Sequence, residues 1–296
     1  MALAIRHVTT YRYARPVTIG AHRLMFRPRD SHDLRLLGAS LTISPPAASI
    51  RWLHDVFGNS IAIAAFAVDT AELRFESDIR LEQYTLDPLD FPIEEYAATY
   101  PFSYSAEDIP DLGRTIERHY PDPEHRVDVW TRQVALVSAD AAANGLVETR
   151  DLLARLMRAI KDGFTYSRRE AEGTQTPVET LQLGSGSCRD FALLMIEAAR
   201  SLGFAARFVS GYLYNPATDG QVSGSTHAWV QIYLPGGGWV EFDPTNAIVG
   251  GKNLIRVAVA REPWQAIPLS GQWTGAKSDF LGMEVSVSVN ASGQAP

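Results

Sequence analysis

Hydrophobic and polar positions alternate through the first third of the chain. Leu3, Ile5, His7, Thr9, Tyr11 and Tyr13 fall on one face of a strand, as do Leu37, Ala39, Leu41 and Ile43, and then Ile61, Ile63, Ala65 and Ala67. Between residues 72 and 82, Leu73, Phe75, Ile79 and Leu81 alternate with Glu72, Arg74, Glu76, Asp78, Arg80 and Glu82. A period of two with one charged face predicts half-buried antiparallel strands. Pro45-Pro46 and Phe57-Gly58-Asn59 punctuate them. Residues 1–86 therefore read as an all-β, sandwich-like domain. Residues 87–105 carry three prolines and many aromatics. They read as a linker packed on a neighbouring surface.

The period changes from residue 106. Val127, Trp130, Val134 and Val137 share one helical face. Leu152, Leu153, Leu156, Met157 and Ile160 share another, with Gly163 placed as its C-cap. A third helix is predicted from Cys188 to Leu202, stopped by Gly203. Strand-like runs follow at 205–214, 227–234, 238–243, 255–259 and 284–289. The stretch from Leu254 to Val289 is expected to add strands to the core sheet. Helices first and strands afterwards, without βαβ alternation, predict an α+β domain over 106–296.

Composition narrows the function. A chain of 296 residues with 46% hydrophobic and 21% charged positions suits two soluble globular domains. The net charge of −7 gains little from neutralising phosphates, so no nucleic-acid partner is expected. No apolar run is long enough to span a bilayer, and the N-terminus lacks the apolar stretch of a signal peptide. The expected location is cytoplasmic, with no membrane partner. A single cysteine excludes an intramolecular disulfide.

That cysteine, Cys188, lies in Gly184-Ser-Gly-Ser-Cys-Arg-Asp-Phe191, at the start of the third predicted helix. The helix dipole and unpaired N–H groups there favour a thiolate and receive an oxyanion. Taken alone, it reads first as a small buried hydrophobe. His227 opens a predicted strand in Ser-Thr-His-Ala-Trp. It is either a general base for a thiol or a plain strand-end residue. Asp243 closes the next strand in Glu-Phe-Asp-Pro-Thr, and Gly236-Gly237-Gly238 supplies the turn between the two. Antiparallel pairing brings the start of the first strand beside the end of the second. The carboxylate can then fix the imidazole tautomer, whereas Asp-Pro-Thr alone is simply a turn. A helix-start cysteine followed by paired strand ends carrying His and Asp is hard to obtain by accident.

The segments GTQTPVETLQLGSGSCRD, GSCRDFALLMIEAARSLGFAARFVSGYL and THAWVQIYLPGGGWVEFDPTN resemble bacterial transglutaminase-like proteins of the papain-like superfamily. The first third is similar to the β-rich N-terminal domain that accompanies them. The resemblance implies a papain-like core of helices packed on an antiparallel sheet. It implies Cys188 as nucleophile, His227 as general base and acid, and Asp243 as the orienting residue. It also implies thiol-dependent acyl transfer or hydrolysis at peptide or glutamine amide bonds through a thioester. A peptidase or amidase acting on a peptide or protein substrate is the leading reading. Gln182 and Tyr166 are the candidates for a second oxyanion donor beside the Cys188 N–H. Trp229, Trp239 and Ser187 are cleft candidates, although core packing is the commoner role of buried tryptophans. Arg189 and Asp190 are expected to pair and anchor the first helical turn.

The chain has no P-loop, G-x-G-x-x-G, G-x-S-x-G or H-E-x-x-H motif, so no cofactor or metal is expected. His119 and His125, flanking Tyr120–Glu124, read as part of a polar surface loop. The competing reading is a non-catalytic protein-binding module on the same scaffold, which would tolerate loss of His227.

Overall fold

A computed structural model of the chain describes residues 1–84, 91–135, 146–169, 173–219 and 226–291. Five strands form in the first third: β1 (Ala2–Leu24), β2 (Leu34–Ser44), β3 (Ser49–His54), β4 (Ser60–Ala65) and β5 (Asp69–Gln83). They pair antiparallel in the order β2-β5-β1-β4-β3. The alternation read from the sequence holds at Leu3, Ile5, Leu73, Phe75, Ile79 and Leu81, all buried. In β2 it breaks. A bulge between Leu36 and Gly38 shifts the register against β5 and turns Leu37 outward, 49% exposed. Strand β4 is covered on both faces. Ala62 and Ala64 face the sheet's own core with Leu73 and Phe75, while Ile61 joins the core of the following domain.

Short elements connect the halves: β6 (Thr99–Tyr100), α1 (Asp108–Leu112), α2 (Arg126–Ala135) and β7 (Val147–Glu148), which pairs with β6. Phe91, Ile93, Tyr100 and Phe102 pack against the second core, as the aromatic content of the connection implied. Val137 lies outside the described residues. The amphipathic run from Leu152 forms α3 (Thr149–Gly163), with Leu152, Leu153, Leu156, Met157 and Ile160 buried. Gly163 is its last residue, and Phe164 is the C-cap. Next come β8 (Thr165–Tyr166), α4 (Pro177–Leu183), β9 (Ser185–Gly186) and α5 (Cys188–Ser201).

The second sheet contains β10 (Ala206–Leu213), β11 (His227–Leu234), β12 (Gly238–Asp243), β13 (Ile248–Val249) and β14 (Leu254–Ala260), in the order β13-β12-β11-β10-β14. Helix α5 packs Phe191, Leu194, Met195 and Ala198 with Ala228, Val230, Ile232 and Phe242 of this sheet. The first sheet contributes Leu3, Ile5, Ile79 and Leu81 to a second cluster with Tyr212, Tyr214, Ile255 and Val257. The second sheet is thus covered by helices through one cluster and by the first sheet through another.

The C-terminal stretch corrects an expectation. Only β14 enters the core sheet, beside β10. Strands β15 (Leu269–Thr274) and β16 (Phe280–Ala291) instead pair with β1, from Leu3↔Ala291 to Leu24↔Leu269. They bring the first sheet to seven strands. The long β1, bulged between Arg12 and Val17, offers more edge than its sequence neighbours cover, and the returning chain fills it. No helix among the described residues is long and apolar enough to cross a membrane.

Candidate active site

The start of α5 places Cys188. Ser187 precedes the helix in extended conformation, and its N–H and hydroxyl each donate to Asp190 Oδ2 at 2.8 Å. Fully buried Asp190 also accepts the Gln175 N–H at 2.7 Å and Arg169 Nη1 at 2.8 Å. One carboxylate therefore ties the preceding loop, Arg169 and Gln175 to the first helical turn. Its partner is Arg169 and not, as expected, the adjacent Arg189. Ser187 is a buried cap rather than a cleft wall. A Cβ on Gly186 would lie 2.9 Å from the Asp190 Cβ, so only glycine lets β9 approach the helix this closely. Strand β9 pairs in parallel with β8, matching Tyr166 to Gly186. This seats Tyr166 near enough to Cys188 for the sulfur's charge to push the phenol's pKa up, after burial, the larger cause.

His227 and Asp243 come together as the hairpin requires. Strands β11 and β12 pair from Leu234↔Gly238 to Val230↔Phe242, leaving His227 at the open end beside the end of β12. His227 Nε2 lies 2.8 Å from Asp243 Oδ2. The Cys188 sulfur lies close enough for its charge to act on the ring. The ring is therefore turned the opposite way from a chymotrypsin-type triad, where Nδ1 faces the carboxylate. Asp243 has 0% exposure, the His227 side chain 11% and Cys188 as a whole 8%, so the carboxylate is sealed while the imidazole and the cysteine residue keep a small exposure.

Burial works against an imidazolium at His227. The charge and hydrogen bond of Asp243, with the Cys188 sulfur, outweigh it and push the pKa up to about 10. Burial likewise opposes ionised Asp243. The His227 charge, the Asn246 amide and the Thr245 N–H hold its carboxyl below the ordinary range. Asn246 Nδ2 donates to Asp243 Oδ2 at 2.8 Å and sits 3.3 Å from His227 Nε2. Sequence reasoning missed Asn246, because three residues past the strand it reads as part of the turn.

The two tryptophans differ. Trp229 is fully buried, stacked under the His227 ring with centroids 5.9 Å apart, and its indole N–H has no hydrogen-bond partner among the described residues. It supports the imidazole from below and does not line an open cleft. Trp239 lies near the turn of the hairpin, under the Arg207 guanidinium 4.0 Å away, remote from the strand end that carries Asp243. Gln182 is exposed on α4, with no hydrogen bond to Cys188 or His227. The capping box Thr176-Pro-Val-Glu179, legible in the sequence, starts that helix.

The first sheet reaches under this support. The Asp55 carboxylate accepts the N–H groups of Phe57 and Asn59 at 2.9 and 2.8 Å, shaping the β3–β4 turn. Asn59 then grips both polar atoms of the Val259 peptide, at 2.7 and 2.9 Å. Phe57 packs against the cluster that holds Trp229. On the far side of α5, buried Glu197 accepts Arg118 Nε at 2.8 Å and Arg200 Nη1 at 3.0 Å. Hence the segment around His119 is anchored, not loose. His119 bonds the Arg114 carbonyl and His125 bonds Asp128, so the two rings do not converge.

Comparison with known proteins identifies the family and the fold. Residues 138–244 match the transglutaminase-like superfamily, and residues 3–82 match the bacterial transglutaminase-like N-terminal region. The uncharacterized protein Rv2569c of Mycobacterium tuberculosis is 30% identical over 301 residues, covering 96% of this chain and 91% of that one. The chain belongs to the transglutaminase-like superfamily. The uncharacterized protein ML0607 of Mycobacterium leprae is 27% identical over 289 residues, covering 96% and 98% of the two chains. A crystal structure from Cytophaga hutchinsonii, provisionally described as a cysteine protease, covers 100% of this chain and 93% of its own, with TM-score 0.66 at 19% identity. It shares the fold. The superfamily segment of this chain contains Cys188, His227 and Asp243 together.

Proposed function

We propose that the protein is a transglutaminase-like cysteine enzyme, a peptidase or amidase that cleaves peptide or glutamine amide bonds through a thioester. The observation that carries this reading is one imidazole held 2.8 Å from a sealed carboxylate and within electrostatic reach of the sulfur at a helix start. A protonated imidazole is the partner a thiolate nucleophile needs. In the proposed reaction, Cys188 Sγ attacks the carbonyl carbon. The oxygen charge falls on the Cys188 N–H and the dipole of α5. The C–N bond then breaks, and His227 gives its proton to the leaving amine. Water, deprotonated by His227, resolves the thioester to a carboxylic acid. A primary amine at the same carbon would give a new amide instead. Asp243 holds the ring in the orientation both proton transfers require, and Asn246 holds Asp243. Of the two side chains considered as a second oxyanion donor, Tyr166 is the better placed, since it sits beside Gly186 and within electrostatic reach of the sulfur.

The test is a peptide library incubated with and without a primary amine and read by mass spectrometry. Cleavage or a deamidated product is expected without amine. Cys188→Ala should abolish turnover, and His227→Ala should lower it by about 10³-fold or more. A folded Cys188→Ala protein that still turns over the same peptides would overturn the proposal, and a parent protein that turns over none of them would favour a binding module.

A further inference from the structure

The first sheet carries a feature unrelated to the thiol. Strand β3 is the last strand of its sheet, paired only with β4. Its outer edge is open among the described residues, and over six residues it runs about 20 Å. Such edges are normally blunted by lysine, proline or a bulge, because a free row of N–H and C=O groups templates another strand. Here the edge displays Ile50, 41% exposed, and Trp52, 50% exposed. Two adjoining clefts open beside it, and Arg27 and Trp52 line both. One runs inward over Leu24, Phe26 and Leu41, and the other passes His54 and Ser60.

Charge says what fits. Residues 1–60 contain eight arginines, no lysine and three acidic residues, in a chain whose net charge is −7. All three acids are engaged elsewhere. Asp30 accepts the Leu36 N–H, Asp33 pairs with Arg256, and Asp55 shapes its own turn and faces Arg23. Arg27, Arg29 and Arg51 have no carboxylate within ion-pair distance among the described residues. A guanidinium without a counter-charge, beside an exposed indole and an unpaired strand edge, is a combination of donors that main chain, carboxylate and apolar side chain satisfy together.

We propose that this cleft binds an extended acidic polypeptide segment, which adds to β3 as a further antiparallel or parallel strand. Its backbone pairs with the outer edge of β3. A carboxylate takes Arg27, and an apolar side chain two residues away covers Trp52. The site is independent of the acyl-transfer chemistry, so binding is measured on the full chain carrying Cys188→Ala, which prevents turnover from consuming the probe.

The probe is a fluorescein-labelled peptide of alternating glutamate and valine, with a lysine–valine peptide as its counterpart, followed by fluorescence anisotropy. The acidic peptide should bind at least about tenfold more tightly than the basic one, and added salt should weaken it. Arg27→Glu, an exposed position that leaves packing intact, should weaken the acidic peptide by at least about tenfold. Trp52→Ala should do the same. Equal binding of the two peptides, or an Arg27→Glu protein that binds like its parent, would overturn the proposal. So would sedimentation showing a dimer that Trp52→Lys dissociates, because β3 would then belong to a second copy of this chain.

Discussion

Replacing Gly211 by alanine tests whether the support beneath the His227 imidazole matters. Gly211 lies opposite His227 in the β10–β11 pair and beside the β10–β14 register shift. An added Cβ would stand 2.1 Å from the Ile255 carbonyl oxygen and 2.8 Å from Trp229 Cη2. The first contact is short of an ordinary C···O approach by about 1 Å. Its target is sheet backbone, so it cannot rotate away. Either β14 moves outward or the Trp229 ring is pushed from its seat. Overpacking of this kind costs about 1–3 kcal/mol. The His227 ring rests on Trp229, so the displacement passes to the imidazole. A misplacement near 1 Å at reacting groups costs on the order of 10²-fold in rate. Thermal unfolding measures the first effect. The rate of Cys188 alkylation by iodoacetamide, which needs no substrate, measures the second, and turnover follows it. A folded Gly211→Ala protein with parental melting temperature and parental alkylation rate would refute the idea that Trp229 positions His227.

Other expectations follow from the same geometry. The alkaline limb of kcat/KM should fall as pH rises through about 10, where His227 loses the proton it gives the leaving amine, and Asp243→Asn should move that limb down. In stability the sign is the same. The His227 contribution is complete below its ordinary pKa of 6.5 and is lost as pH climbs to about 10, whereas that of Asp243 is present above 3.8 and is lost in acid; pH-dependent denaturant unfolding reads both. Asn246→Ala removes a donor from a buried carboxylate and should cost about 1.5–3 kcal/mol, with reduced turnover in the peptide assay. Asp190→Ala strands the Arg169 charge and three further donors, and should lower stability by about 3–5 kcal/mol in urea unfolding.

How much of this was legible depended on distance along the chain. The His227–Leu234 and Gly238–Asp243 strands were readable because alternation and a glycine turn are local signals, and one hairpin is enough to bring an imidazole to a carboxylate. The start of α5 was readable from its glycine and serine lead-in and its amphipathic continuation. Leu37 misled the alternation because a bulge inserts one residue without leaving a mark in hydrophobicity. Asp190 chose Arg169 over its neighbour because adjacent side chains on a helix point apart, while Arg169 reaches it from outside the helix. The β8–β9 pairing that seats Tyr166 involves two residues on each side, too short for any periodicity to register. The destination of β15 and β16 was hidden for a different reason. Which sheet a strand joins is decided by the edge available to it, and β1 lies more than two hundred residues upstream.

That returning strand pair bears on how the polypeptide is made and cut. From the moment β1 leaves the ribosome, one of its flanks waits for Phe280–Ala291, roughly 10–50 s of synthesis later. Throughout that interval β1 exposes a bare, aggregation-prone flank. An amino-terminal fragment excised at residue 86 would carry the same scar permanently. Recombinant work on the β-rich portion therefore calls for grafting the last two strands back onto it, by circular permutation or by co-expression of the two pieces.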